Sequence, residues 1–205
     1  MKYKDWLDVW LKNYIKPTAK RRTYERYSQV VEQHIIDKLG DEELDDITPL
    51  KLQRFVTELM NNGNLLTWKG LSANSVYGII TVIQSSLKLA YTLGETKSYV
   101  ADRIKRPKPR EKLVICFSLP EQKKIEQVAF TDKRSKMFGV VLCLYTGLRI
   151  GELLSLKWRD VDFTKGTIII TKTCHDGKDE NGKLCRIDDT LKQFLHVVKY
   201  LCRNG

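Results

Sequence analysis

Apolar positions in the first hundred residues recur at helical spacing. Tyr3, Trp6, Leu7, Trp10, Leu11 and Tyr14 line one face of a helix that Pro17 closes. Tyr27, Val30, Val31, His34 and Ile35 repeat the pattern, and Gly40 follows its end. Thr48-Pro49 reads as an N-cap followed by proline at the first helical position. Leu52, Phe55, Val56, Leu59 and Met60 form a third stripe, stopped by Asn61-Asn62-Gly63. Ser72 caps a fourth helix bearing Val76, Ile79, Ile80, Ile83, Leu87 and Ala90, with Gly94 at its end. Four helices with short connections predict a bundle over residues 1–100.

The pattern then changes. Pro107 and Pro109, at alternate positions in a basic run, forbid a helix and favour an extended path, so residues 101–113 predict a linker. Ser118-Leu-Pro-Glu121 is a capping-box pattern that opens a helix to about Ala129. Lys133 to Tyr145 predicts a second helix, apolar on most sides from Phe138 onward and therefore buried. Arg149 to Leu156 predicts a short third one. Val161–Phe163, Thr164–Gly166 and Thr167–Thr171 read as strand, turn and strand. His175–Lys183 is polar with two glycines and reads as a long hairpin tip. Thr190 to Cys202 reads as a closing helix with Leu191, Phe194, Leu195, Val198 and Leu201 on its apolar face. The expected fold class is mainly α with a small β-hairpin or sheet: a helical bundle, then an α+β part over 114–205.

Composition narrows the function. The 205 residues are 42% apolar and 30% charged, the balance of a folded soluble chain. No apolar run approaches the ~20 residues of a membrane span. No apolar segment follows the charged N-terminus, so no secretory signal is expected and the chain is assigned to the cytoplasm. Five cysteines without a C-x-x-C pair argue against a disulfide framework and against structural zinc, and no metal is expected. The net charge is +11, of which residues 101–114 contribute +4 in fourteen positions. A surplus of this size points to a polyanionic partner.

The sharpest motif runs from Leu144 to Asp162. A helix ends at Thr146-Gly147, the chain turns, and Arg149 opens the next helix in an apolar setting. Glu152 lies one turn on, on the same face. An arginine buried at that depth must be paired. Two roles fit: a salt bridge that locks the turn, or a guanidinium fork held by Glu152 and aimed at a phosphate.

The string T-G-L-R-x-G-E-L-L-x-L-x-W-x-D-V-D resembles the first-arginine motif of the tyrosine recombinases, the phage-integrase type of site-specific recombinase. The early Trp and Tyr positions, Asp46-Ile-Thr, Leu71-Ser and the Lys-Arg-Pro linker also resemble the family's helical core-binding domain, so the likeness covers residues 3 to 173. Tyr99-Val100-Ala101 departs from the Asn-Pro common in relatives. The resemblance implies a SAM-like core-binding domain over 1–100, the basic linker over 101–113, and the N-terminal part of the catalytic domain over 114–205. Arg149 matches the arginine that binds the scissile phosphate, and Glu152 the acid that supports it. Lys172 best matches the hairpin lysine that protonates the leaving 5′ oxygen, with Lys178 and Lys183 as alternatives. The family uses a 3′-phosphotyrosyl intermediate, so no metal or nucleotide cofactor is implied. Its H-x-x-R box and following tyrosine have no match at suitable spacing. His196-Val-Val-Lys199 with Tyr200 imitates the box but fits a plain amphipathic helix better.

The implied partners are double-stranded DNA of the attachment-site type and other recombinase protomers. By position, Lys20, Arg21 and Arg22 at the second helix start and Lys69 and Ser72 at the fourth are candidate DNA contacts. Lys105, Arg106, Lys108 and Arg110 are the candidate phosphate contacts of the linker. The resulting expectation is a DNA-integration and recombination protein of mobile-element type that binds DNA without completing strand cleavage itself. The alternative is a DNA-binding-only competitor or a decayed remnant.

Overall fold

The computed structural model describes residues 1–67, 69–109, 113–131, 136–178, 183–190 and 196–199, with the backbone alone at 136, 178, 190 and 196–199. The chain divides into two compact units, Met1–Leu113 and Val114–Gly205.

In the first unit, α1 (Tyr3–Val9) runs on into a π-helical stretch, Trp10–Ile15, in which Lys16 N–H reaches back five residues to Leu11 O at 2.9 Å. The second helix does the same: α2 (Arg21–Val30) passes through a π stretch, Val31–Ile35, into α3 (Ile36–Leu39). Helices α4 (Pro49–Asn62) and α5 (Ala73–Thr92) start where their caps predict. Thr48 Oγ1 accepts from Lys51 N and Ser72 Oγ from Ser75 N, both at 3.2 Å. Gly94 ends α5 with φ +80°, a conformation that costs glycine nothing.

The apolar stripes meet in one core, with Trp6, Trp10, Leu52, Ile80 and Ile83 almost fully buried. One polar group lies inside it. Tyr3 O–H donates to Ser86 Oγ at 2.7 Å, Ser86 O–H donates to Ile83 O at 3.0 Å, and Trp6 Nε1–H donates to Ser86 O at 3.1 Å. This chain pins α1 to α5, and burial pushes the Tyr3 phenol well above its usual pKa.

The basic segment does not leave this unit at residue 101. A 3₁₀ turn, Ala101–Arg103, follows α5, and Ala101 and Ile104 enter the core. Lys105 N–H then donates to Gln53 Oε1 on α4 at 2.9 Å. Up to Arg106, the expected linker lies on the helical unit.

The second unit holds α6 (Leu119–Thr131), α7 (Lys136–Thr146) and α8 (Ile150–Ser155). Ser118 N–H and O–H both donate to Glu121 Oε2, at 2.8 and 2.7 Å, so only the acidic half of the expected capping box forms. Strands β1 (Val161–Asp162), β2 (Thr167–Ile170) and β5 (His196–Lys199) form an antiparallel sheet in the order β1-β2-β5. Strands β3 (Lys172–Lys178) and β4 (Leu184–Thr190) form a separate hairpin with Lys172 opposite Thr190 and Lys178 opposite Leu184. Residues 175–178 are therefore arm rather than tip. Leu148, Ile168 and Ile170 make a small core, joined by Leu142, Cys143, Leu156 and Val161.

Two sequence expectations are corrected here. Residues 196–199 are a strand paired with β2, not part of a helix. Val197-Val198 is β-branched and suits the pleated edge that β2 offers, and this pairing overrides a helical period sampled over four residues. The remainder of the expected closing helix, 191–195 and 200–202, lies outside the described residues. Helix α7 is not buried either: Phe138 and Tyr145 are 50% and 62% exposed. Its apolar side borders a cavity of about 590 Å³ lined by Phe138, Leu142, Leu153, Trp158, Phe163 and Ile168, among others.

Replacing Ser86 by alanine leaves the Tyr3 hydroxyl buried without its acceptor. The expected outcome is a loss of about 1–3 kcal/mol in the unfolding of the helical unit, read by denaturant titration.

Candidate functional site

The site is built on the turn between α7 and α8. Gly147, at φ +67°, turns the chain, and Leu148 N–H donates to Thr146 Oγ1 at 3.1 Å. Leu148 enters the core, and Arg149 takes the N-cap position of α8 with extended backbone. Its N–H is one of the orphan donors at a helix start. Glu152 satisfies it: Arg149 N–H donates to Glu152 Oε2 at 3.0 Å, and Arg149 Nη1–H donates to Glu152 Oε1 at 2.9 Å. Both carboxylate oxygens are thus held by one residue.

Sequence reasoning placed the arginine deep and the glutamate as its support. The structure inverts the burial: the Glu152 side chain is 9% exposed and that of Arg149 is 71% exposed. The buried carboxylate is the group that must be paired, and the arginine supplies the pairing from the surface. One of the five guanidinium N–H donors goes to Glu152, and the rest of the group is largely open to solvent.

Helix α8 packs on β3, and Gly151 permits the approach. A methyl group there would stand 2.8 Å from Cys174 O and would also strike Thr173 Oγ1. At the end of the helix, the Ser155 hydroxyl lies 2.8 Å from Lys172 O and 2.9 Å from Glu152 O. Lys172 therefore begins β3 with its backbone held by the helix that carries Glu152. Its Nζ lies 3.6 Å from Asp188 Oδ2 on β4, with both side chains about half exposed. Lys178 stands six residues further along the strand, roughly 20 Å away at the usual rise. Lys183 lies beyond the tip. Lys172 is held against α8 through its backbone carbonyl.

Two other nucleophilic side chains in this unit have raised pKa values. Burial pushes the Cys174 thiol up. Tyr145 O–H donates to Glu126 Oε1 at 2.7 Å, which raises its pKa and holds the phenol protonated. Among the described residues no cluster of His, Cys, Asp and Glu is arranged to hold a metal ion. The described helices include none long and apolar enough to cross a membrane.

The candidate DNA contacts of the first unit are exposed. Lys20 is the N-cap of α2, and Arg21 pairs with Glu25 at 2.9 Å within the first turn, next to Arg22. Lys69 precedes α5, and Ser72 spends its oxygen on capping it. Lys105 and Lys108 lie on the surface. The Arg106 guanidinium lies over the ring of Tyr77, 4.2 Å from its centroid, and hydrogen-bonds Gln84. Arg110 lies outside the described residues. Sequence reasoning missed Gly151, Tyr77, Gln84 and Asp188. Gly151 sits inside the quoted motif, where a glycine in a helix is itself a signal of close packing; the other three carry no sequence signal.

Two family models match this chain: the phage integrase N-terminal SAM-like domain over residues 2–60, and the phage integrase family over residues 120–199. The chain belongs to the phage integrase, or tyrosine recombinase, family. It is similar to the ICEBs1 integrase of Bacillus subtilis, 30% identical over 159 residues that cover 76% of this chain and 40% of the relative. An integrase of Saccharopolyspora erythraea is 24% identical over 169 residues, 82% of this chain and 37% of that protein. The chain thus spans about two fifths of the length of these curated relatives. Its fold is that of the Tn1549 transposon integrase solved with circular intermediate DNA. The TM-score is 0.75 at 16% identity, over 98% of this chain and 62% of the other.

Gly151→Ala should destabilise the second unit although alanine is the better helix former. A loss of about 1–3 kcal/mol is expected from the clash with Cys174 O, with faster amide hydrogen exchange in β3. Unchanged stability and exchange would show that α8 does not depend on this close approach.

Proposed function

We propose that this chain is the DNA-engaging part of a site-specific recombination and integration protein of a mobile element, and that Arg149 grips a phosphodiester of duplex DNA. The observation that carries this reading is the Arg149–Glu152 pair. A surface guanidinium clamped at one end by a buried carboxylate is oriented before any ligand arrives, and its free fork suits two phosphate oxygens. Glu152 positions Arg149. Lys172, fixed through Ser155, is the proton donor to the 5′ oxygen that leaves when the phosphate is attacked. Preplaced cations of this kind stabilise the charge of the transition state, and losing one such donor commonly costs about 10²–10³ in rate.

Lys20, Arg21, Arg22, Lys69, Ser72, Lys105, Arg106, Lys108 and Arg110 contact backbone phosphates in this reading. Residues 1–100 serve as the core-binding domain, 101–113 as the basic connection, and 114–205 as the N-terminal part of the catalytic domain. The partners are attachment-type duplex DNA and other recombinase protomers, met in the cytoplasm, with no cofactor. In this reading Arg149 and Lys172 are the cations that meet the phosphate, and no H-x-x-R string occurs in the 205 residues. DNA occupancy is the activity proposed for these 205 residues, with Arg149 and Lys172 contributing to cleavage where a nucleophile is supplied.

Two measurements test it. Affinity for a labelled duplex should fall with salt by about 0.9 log units per log unit of salt for each phosphate neutralised, and Arg149→Ala should lower that slope by about one contact. A flat salt response, or unchanged binding by Arg149→Ala, would overturn the reading. On a nicked duplex no covalent protein–DNA adduct should accumulate at saturating occupancy; an adduct would show that the chain supplies its own nucleophile.

A further inference from the structure

Two arginines from different parts of the helical unit lie against α5. Arg106 arrives from the segment after the 3₁₀ turn. Its guanidinium carbon lies 4.2 Å from the centre of the Tyr77 ring, and its Nη2 donates to Gln84 Oε1. Tyr77 and Gln84 are two turns apart on one face of α5. Gln84 is itself held, because its Nε2 donates to Ala101 O at 2.7 Å, which turns its oxygen toward Arg106. Arg26 arrives from α2. A methyl group at Gly78 would stand 2.6 Å from Arg26 Nη2 and 3.8 Å from its Cζ, so the guanidinium occupies the space a side chain at 78 would fill.

Neither arginine forms an ion pair among the described residues. Both are exposed, Tyr77 is 44% exposed, and α5 carries no acidic residue over its whole length. An arginine free in solvent loses rotamer entropy when it binds an anion. For Arg106 part of that loss is already taken on folding, by an aromatic face and an amide; Gly78 leaves Arg26 the room to lie against α5. Four of the five N–H donors of Arg106 remain after the bond to Gln84.

We propose that Tyr77 and Gln84 position Arg106, and that Gly78 leaves room for Arg26, so that the two guanidinium groups against α5 contact backbone phosphates of duplex DNA. The inference rests on the reading of the chain as a duplex-binding protein and names the groups that hold its contacts in place.

The experiment uses the full chain and a fluorescent mixed-sequence duplex of about 30 bp, titrated at several salt concentrations. Tyr77→Leu removes the ring from an exposed position and should weaken binding about threefold to fivefold, with the melting temperature unchanged. Tyr77→Phe keeps the ring and should recover binding to within about twofold of the original. In Arg106→Ala, adding Tyr77→Leu should cost nothing further, since the ring acts through the arginine. Gly78→Ala should raise the melting temperature by about 2–4 °C through helix propensity while weakening the duplex about twofold to threefold. That opposition of sign separates a contact from a purely structural role.

Tyr77→Leu binding like the original, or the two substitutions adding fully, would overturn the positioning of Arg106 and leave duplex binding intact. Gly78→Ala with undiminished affinity would remove Arg26 from the contact surface. Failure of the unaltered chain to bind the duplex at low salt would remove the function proposed above and this inference with it. Tighter binding to single-stranded RNA of equal length would overturn the assignment of duplex DNA as the partner.

Discussion

The carboxylate of Glu152 is taken almost wholly out of water, and the arrangement of residues 146–173 follows from satisfying it. A buried charge without donors is too costly to keep. Arg149 supplies two donors, one from the backbone and one from the side chain. The backbone donor is free only because Arg149 caps α8, and Arg149 reaches that position only because Gly147 reverses the chain at positive φ. The same helix must then lie close enough to β3 for Ser155 to hold Lys172 O, which Gly151 allows. One ionic constraint thus sets the direction of a surface guanidinium and the starting point of the strand that bears the second cation.

The helical unit is organised by the opposite logic. Its core is apolar, with one hydroxyl network at Ser86, and it needs only caps and glycines to set helix ends. Those features were legible in the sequence, because each is written within a few residues: the apolar stripes, Thr48-Pro49, Ser72 and Gly94. The T-G-L-R string was legible for the same reason. What was not legible depends on neighbours distant in sequence. The spacing of Arg149 and Glu152 gave the pair, but which member is buried is decided by the packing of α8 on β3. The strand at 196–199 is decided by the free edge of β2. Arg106 and Tyr77 are separated by 29 positions, and no periodicity connects a residue after a helix to one near its start.

Net charge is a second place where position matters more than the sum. Residues 1–100 carry nearly as many acidic as basic groups, which taken alone weakens the case for a polyanion there. The acids are not evenly spread. Five of them fall within residues 41–46, and four of these are engaged locally. Asp41 pairs with Lys2 and Lys4, Glu42 with Lys51, Glu43 with the Met1 ammonium, and Asp45 accepts from Thr96 and Lys97. The lysines hold the Asp41 carboxyl below its usual range, and the bonds from Lys97 and Thr96 do the same for Asp45.

These half-exposed pairs add little to stability, since solvent screens them. Their consequence is electrostatic. They pair a block of negative charge locally with the cations beside it. What remains on α5 is a face with no acid at all, approached by two arginines that have no carboxylate partner among the described residues. A near-neutral unit is thereby left with a locally cationic surface, and its field at short range is set by those two groups rather than by the total. At the ionic strength of a cell, charges more than about 8 Å apart are screened, so the local arrangement rather than the net charge sets what an approaching anion would feel.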